Sequence, residues 1–209
     1  MYDPATMGPG PYIYTVTGSP PCANATATIT VTENAPPNAG INGNLTLCAS
    51  SAPASLFAQL GGSPQAGGAW SGPSPVVGGM YDPATMTPGP YVYTVTGVAP
   101  CANASATVTV VENIPANAGS NGTLTICSSD GAVSMFAQLG GSPQAGGAWS
   151  GPSAVVGGNY DPATMTPGVY TYTVLGVAPC VDASATVTVT ENAAASAGVD
   201  AGVTLCSDG

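Results

Sequence analysis

Short runs in which apolar and polar residues alternate are the main pattern of this chain. Ala106, Val108 and Val110 alternate with serine and threonine, a period of two that predicts a half-buried β-strand over residues 104–111. Residues 91–96 and 45–48 predict further strands, whereas residues 56–60 fit either a strand or a helical turn. Glycine and proline crowd the middle of the pattern and exclude a long helix there. The pattern therefore predicts an all-β chain.

The pattern recurs with a fixed period. The segment Tyr-Asp-Pro-Ala-Thr-Met begins at Tyr2, Tyr81 and Tyr160, which gives a period of 79 residues (81 − 2 = 160 − 81 = 79). A period of this length suits a small domain repeated in tandem, and Ala-, Asn- and Pro-containing segments after each alternating strand predict linkers. The predicted domains are the C-terminal part of a truncated module at 1–36, complete modules at 40–115 and 119–194, and the start of a further module at 198–209. We expect the chain to be a window from a longer array.

Turn signals about every 8–12 residues predict immunoglobulin-like β-sandwich modules. Tyr91 enters the penultimate strand after a Gly-Pro pair, as the tyrosine corner of such domains does, and Tyr93 continues the same strand. Trp70 and its counterpart Trp149 are expected in the core, the alternative being a platform on which a ligand stacks.

Six cysteines follow the same period, at positions 22, 101 and 180 and at positions 48, 127 and 206. Bonding Cys48 to Cys22 or to Cys101 gains similar loop entropy, about 3.5 against about 4 kcal/mol. The first and last strands of an immunoglobulin-like sandwich can run parallel and adjacent, which favours Cys48–Cys101 and Cys127–Cys180, with Cys22 and Cys206 bonded outside the chain. A free or metal-bound thiol is disfavoured because there is no histidine and no Cys-x-x-Cys. Disulfides predict an oxidising compartment.

The charge composition excludes several classes of function. The chain has no lysine, arginine or histidine and ten carboxylates, a net charge of −10. Without lysine and arginine, the chain has no side-chain cations to bind nucleic acid or an anionic membrane surface. Without histidine and lysine, it also lacks the side chains for catalysis that depends on these residues. No apolar run is long enough to insert into a membrane. We therefore predict that the chain is not an enzyme and needs no cofactor.

Asp82 and Asp161 precede proline in the repeated motif, the usual start of a type I turn. A calcium ligand is the alternative, although calcium takes 6–8 oxygen ligands and each repeat has few carboxylates. The sequence favours a structural role for both aspartates.

The combined motif carries a family resemblance. The segments Leu-Phe-Ala-Gln-Leu-Gly-Gly-Ser-Pro-Gln-Ala-Gly-Gly-Ala-Trp-Ser-Gly, Tyr-Asp-Pro-Ala-Thr-Met-Thr-Pro-Gly and Ala-Ser-Ala-Thr-Val-Thr-Val resemble the tandem repeats of giant Bacteroidetes cell-surface adhesins, including those of gliding motility. The resemblance implies secretion by the type IX system and a filament attached to the outer membrane. It also implies partners in neighbouring modules of the same chain and in an external surface or polysaccharide.

The expected function is therefore the structural repeat region of a long extracellular adhesin filament that gives reach and attachment. The alternative is a subunit or stretch of a self-assembling extracellular fibre or sheath, in which modules polymerise laterally or by strand exchange.

Overall fold

The computed structural model describes residues 1–206, so the predicted start of a module at 198–209 lies within the described residues only as far as Cys206. Over this part of the chain the regular structure consists of strands and two single-turn 3₁₀ helices, Phe57–Gln59 and Phe136–Gln138. The strands are β1 (Gly10–Val16), β2 (Ala25–Val31), β3 (Gly43–Cys48), β4 (Ala54–Ser55), β5 (Ala69–Ser71), β6 (Met80–Tyr81), β7 (Gly89–Val95), β8 (Ala104–Asn113), β9 (Gly122–Cys127), β10 (Val133–Ser134), β11 (Ala148–Ser150), β12 (Asn159–Tyr160), β13 (Gly168–Val174) and β14 (Ala183–Asn192).

Two four-stranded sheets have the same strand order. The first has the order β3-β8-β7-β5 and the second the order β9-β14-β13-β11. A two-stranded antiparallel sheet accompanies each of them, β4 with β6 and β10 with β12. The prediction of an all-β fold is confirmed, and the several sheets are consistent with a β-sandwich.

The second four-stranded sheet contains one parallel pair. Strands β13 and β14 are antiparallel, with Gly168 opposite Val189 and Val174 opposite Ala183. Strand β9 runs parallel to β14, with Gly122 opposite Val187 and Cys127 opposite Asn192 at the end of both strands. The end of β9 therefore lies beside the end of β14 and far from its beginning.

Alternation explains why these segments form strands. In β14, Ala185, Val187 and Val189 are buried, while the threonines between them face outward. Tyr160 and Tyr170 are buried in the same cluster, so the two-stranded sheet shares its core with the four-stranded one. Burial of each of these valines contributes roughly 1.5–3 kcal/mol.

The ambiguous segment at 56–60 contains a 3₁₀ turn in place of a strand. Gln59 and Leu60 donate main-chain hydrogen bonds to the carbonyl oxygens of Leu56 and Phe57, at 3.0 and 3.2 Å. Leu56 and Leu60 are buried on either side of the turn. Two apolar residues four positions apart are compatible with both conformations, which is why periodicity did not distinguish them.

The first strands form an isolated hairpin. Strands β1 and β2 pair antiparallel, from Gly10 opposite Val31 to Val16 opposite Ala25, as a two-stranded sheet. Tyr14 and Ile29 are each 68% exposed, whereas Tyr93 and Val108, one period later, are buried. Within residues 1–206, no other strand pairs with this hairpin, in contrast to its counterparts in the four-stranded sheets.

The chain divides into two compact units. One comprises Met1–Leu45 and Ala52–Val111, and the other comprises Thr46–Ser51 and the chain from Glu112 onward. The six residues Thr46–Ser51, at the end of β3 and just after it, therefore group with the second unit. The module boundaries derived from the sequence period remain a prediction.

Candidate functional site

The structure contains a disulfide between Cys48 and Cys180, whose Cα atoms are 4.9 Å apart and whose sequence separation is 132 residues. Both cysteines belong to the second compact unit, although they come from successive sequence repeats. The predicted pairs Cys48–Cys101 and Cys127–Cys180 are therefore wrong. Cys101 and Cys127 carry free thiols in this structure, as do Cys22 and Cys206.

The parallel register gives the physical reason for the correction. Cys127 lies opposite Asn192, the last residue of β14, whereas Cys180 precedes the first residue of that strand. Strand β14 has 10 residues, so at about 3.3 Å per residue it separates the two positions by roughly 33 Å. A disulfide requires Cα atoms within about 7 Å. The prediction that the first and last strands of a module run in parallel was correct. The error was to pair a cysteine at the end of the first strand with a cysteine just before the beginning of the last.

Asn113 organises the surroundings of the disulfide. Its side-chain amide donates a hydrogen bond of 2.7 Å to the carbonyl oxygen of Ala178. Its main-chain oxygen accepts a hydrogen bond of 2.9 Å from the amide of Ala49 and lies 3.2 Å from Sγ of Cys180. One residue at the end of β8 thus contacts both the residue that follows Cys48 and the segment that precedes Cys180.

Half of this arrangement recurs around Cys101. The thiol of Cys101 donates to the carbonyl oxygen of Asn34 at 3.3 Å, and the side-chain amide of Asn34 donates to the carbonyl oxygen of Ala99 at 2.8 Å. These are the contacts of Cys180, Asn113 and Ala178 shifted by one period. The difference is that Cys101 has no bonded cysteine.

The other half recurs around Cys127. The amide of Ser128 donates to the carbonyl oxygen of Asn192 at 2.9 Å, as Ala49 does to Asn113. The Sγ of Cys127 is 3.2 Å from the hydroxyl of Ser129, and this hydrogen bond lowers the pKa of the thiol below its ordinary value. Cys127 therefore occupies the position of Cys48 with an available thiol.

The tryptophans expected in the core are half-buried. Trp149 lies with its ring centroid 5.0 Å from that of Tyr172, which also packs edge-on against Phe136. These three aromatic residues line an open pocket of about 620 Å³ together with Gly146, Gly147, Gly157 and Gly158. An equivalent pocket of about 470 Å³ surrounds Trp70. An uncharged ring could stack in such a pocket, but no charged side chain lines it.

The tyrosines of β7 and of the equivalent strand β13 bond to main-chain atoms of nearby loops. The hydroxyl of Tyr91 donates to the carbonyl oxygen of Thr87 at 2.7 Å, and Tyr170 makes the same bond to Thr166 at 2.6 Å. The hydroxyl of Tyr93 donates to the carbonyl oxygen of Gln65 and accepts from the amide of Gly68, both at 2.7 Å. All of these tyrosine rings are buried. They therefore combine a large apolar contact with satisfied hydroxyl groups.

Asp82 and Asp161 each begin a turn. The Oδ1 of Asp161 accepts from the amide of Ala163 at 3.0 Å, and its main-chain oxygen accepts from Met165 at 2.9 Å. Asp82 makes the matching bonds to Ala84 and Met86, at 3.0 and 2.9 Å. Their oxygen atoms are engaged in local turn geometry.

Sequence reasoning missed a carboxylate contact of the tyrosine that precedes each of these aspartates. The hydroxyl of Tyr160 is 2.9 Å from Oε2 of Glu191, and Tyr2 makes the corresponding contact with Glu33. Burial, followed by the hydrogen bond with Glu191, raises the pKa of Tyr160 to about 12. The available signal was that tyrosine and glutamate recur together with the same 31-residue separation.

Residues 1–206 contain no group of three or more His, Cys, Asp or Glu side chains able to hold a metal ion. Within the same residues, none of the helices has the length and apolar character needed to cross a membrane. No family model matches the chain, and comparison with curated proteins finds no relative.

Proposed function

We propose that this chain is the structural repeat region of a long extracellular adhesin filament, in which immunoglobulin-like modules provide reach and surface attachment. The observation that carries the proposal is the disulfide from Cys48 to Cys180, because it connects successive sequence repeats covalently. A bond of this kind suits a chain that bears load along its length. It also suits an oxidising environment outside the cell.

Two further features support the immunoglobulin-like and extracellular parts of the proposal. The hydroxyl of Tyr91 bonds a main-chain carbonyl four residues upstream, as in the tyrosine corner of immunoglobulin-like sandwiches. The absence of lysine and arginine leaves no cleavage site for trypsin-like proteases. Repetition every 79 residues suits length and many weak contacts better than turnover at a single site.

Single-molecule stretching of the chain from its ends tests the load-bearing role. With the disulfide intact, the segment between Cys48 and Cys180 is shielded from force, so its 132-residue span stays unextended. At about 3.5 Å per residue, reduction adds roughly 460 Å to the extended length. Equal extension before and after reduction would remove the main support for the proposal.

Immunogold electron microscopy of intact cells tests the location and the filament. Antibodies against residues 40–194 should label thin filaments at intervals along their length outside the cell. Label confined to the cell interior contradicts the proposal.

A further inference from the structure

We propose that the pocket beside Trp149 and the equivalent pocket beside Trp70 each bind one pyranose ring of an uncharged polysaccharide. Each pocket belongs to one of the two compact units. The inference rests on the surface-attachment part of the proposed function and deepens it, because it names the chemistry of the surface that is bound.

Trp149 has a fixed support on one side of its ring. It lies on β11, the outer strand of its sheet, directly opposite Tyr172 of β13. Residues opposite each other in an antiparallel pair have their side chains on the same face, and the two ring centroids are 5.0 Å apart. Tyr172 is buried, and its hydroxyl donates to the carbonyl oxygen of Gln144 at 2.7 Å and accepts from the amide of Gly147 at 2.8 Å. The tyrosine therefore holds the indole at the edge of the sheet.

The indole nitrogen is a hydrogen-bond donor that the protein leaves available. Among residues 1–206, Nε1 of Trp149 and Nε1 of Trp70 have no hydrogen-bond partner, whereas every buried side-chain nitrogen or oxygen in these residues has one. Both indole N–H groups are therefore accessible to solvent. A Cβ added to Gly158 would lie 3.6 Å from Nε1 of Trp149, so the absence of a side chain there keeps the donor uncovered.

The space beside each indole is open and uncharged. Gly146 and Gly67 have φ values of +89° and +88°, and a Cβ added to either would meet nothing within 4 Å. The pockets of about 620 and 470 Å³ fall in the range of roughly 300–1,000 Å³ that is usual for small-molecule sites. In the described part of the chain, neither pocket has a charged side chain in its lining.

The two pockets have the same lining, residue for residue, one period apart. Residues 57–74, which contribute most of one lining, are identical to residues 136–153. The buried core differs more, since Leu47 and Leu56 of one repeat are replaced by Ile126 and Met135 in the next. The lining thus differs less between the copies than the core does, which suits a surface that contacts the same ligand in both.

The chemistry of the lining favours a neutral sugar. A pyranose ring offers a face of C–H groups that can stack on the indole and hydroxyl groups that can accept from its N–H. An anionic polysaccharide would meet a net charge of −10 without a single lysine or arginine. A cationic ligand would find no carboxylate in either lining.

A proline-rich peptide is the competing occupant, because aromatic grooves bind such segments. Those grooves use several exposed rings along an extended peptide. Here Tyr172 is buried under Trp149 and its hydroxyl is already engaged, so the pocket suits one ring better than an extended segment.

Intrinsic fluorescence tests the pockets directly, because the two tryptophans of the chain both line them. The oxidised full chain is titrated with dextran, laminarin, mannan and hydroxyethylcellulose, and retention by each polymer is measured by native electrophoresis. At least one of these neutral polysaccharides should change the emission saturably and retard the chain. Binding to none of them overturns the proposal, as does binding only to alginate or to a polyproline peptide.

Paired variants show whether the indoles make the contact. Trp70→Ala together with Trp149→Ala should weaken retention by the bound polysaccharide at least tenfold. The control is Val98→Ala together with Val177→Ala, since these valines are both 66% exposed, lie one period apart and line neither pocket. Equal retention of the tryptophan variant and the parent chain overturns the proposal.

A second pair of substitutions keeps both tryptophans. Ala66 and Ala145 are exposed alanines of the two linings, and replacing both with glutamine should fill the pockets and reduce retention at least tenfold. Circular dichroism and melting temperature check that each variant stays folded, and unchanged retention by a folded Ala66→Gln, Ala145→Gln chain contradicts the proposal.

Failure of these tests is distinguishable from failure of the filament role. Stretching depends on the Cys48–Cys180 bond and involves neither indole, so a chain that binds no polysaccharide can still bear load. Polysaccharide binding by the purified chain is measured whether or not filaments are labelled outside the cell.

Discussion

Asn113 donates a side-chain hydrogen bond of 2.7 Å to the carbonyl oxygen of Ala178, 65 residues further along the chain. The same asparagine contacts the sulfur of Cys180 through its main-chain oxygen. The hydrogen bonds of Asn113 therefore help to position Cys180 next to Cys48, in addition to the disulfide bond itself.

Replacing Asn113 with alanine should destabilise the second unit by about 1 kcal/mol, because Ala178 loses its donor. Denaturant unfolding of the oxidised chain measures the change. Asn192→Ala is the matched control, since this residue has the same place in the repeat and no side-chain hydrogen bond is found for it among residues 1–206. Equal effects of the two substitutions would show that the contact with Ala178 contributes nothing specific.

Removing the disulfide through Cys48→Ala together with Cys180→Ala should lower the free energy of unfolding by roughly 2–5 kcal/mol, because the bond closes a long loop in the unfolded chain. Calorimetry measures the shift in melting. The control is Cys101→Ala with Cys127→Ala, the other two interior cysteines, which should have a much smaller effect.

Peptide mapping identifies the bond directly. Because peptides 3–81 and 82–129 each contain two cysteines, the mapping uses the Cys22→Ser, Cys127→Ser variant, and cleavage before aspartate under non-reducing conditions should give peptide 3–81 linked to peptide 161–181. Linkage of 3–81 to 82–129 in this variant would instead indicate the pairing of Cys48 with Cys101.

Gly147→Ala should destabilise the second unit by about 1–3 kcal/mol through overpacking. A Cβ there would lie 2.6 Å from both Cζ of Tyr172 and the carbonyl oxygen of Thr173. Gly131→Ala is the control, because its added Cβ meets nothing within 4 Å. Thermal melts of the two variants should separate clearly, and coincident melts would mean that Tyr172 moves aside without cost.

The pKa of Tyr160 predicts a loss of stability in alkali. Because the folded-state pKa is raised from 10.0 to about 12, its contribution is fully present below pH 10 and is lost as pH rises towards 12. Tyr160→Phe should flatten this part of the stability profile. Denaturant unfolding between pH 9 and 12, with the free thiols alkylated beforehand, measures it, and identical slopes for parent and variant would contradict the assignment.

Local features of the fold were predictable from sequence because they depend on neighbouring residues. Alternation at Ala106, Val108 and Val110 identified β8, and the Asp-Pro step of Asp82 identified a turn. The disulfide was not predictable in this way. Positions one period apart have nearly the same sequence, so the pattern around Cys101 and Cys180 contains no information on which copy bonds to Cys48. Which cysteines bond is determined by the direction of β14 relative to the strand that pairs with it, and this direction depends on the three-dimensional structure.

The Trp pockets show a second limit. The glycines around Trp70 correctly predicted turns. Because glycine has no side chain to pack against the indole, these residues also leave one side of the ring exposed in an open pocket. The hydrophobicity of Trp70 predicts a core position, but it does not show that neighbouring side chains are missing on one side of the ring.

The separation of 132 residues between Cys48 and Cys180 also affects how a gene of this kind can change. Each such bond joins one copy to the copy that follows, so deleting or duplicating a stretch of 79 codons brings an equivalent cysteine into the same place. Recombination between copies can then alter the number of modules while an equivalent of Cys180 stays available to bond Cys48.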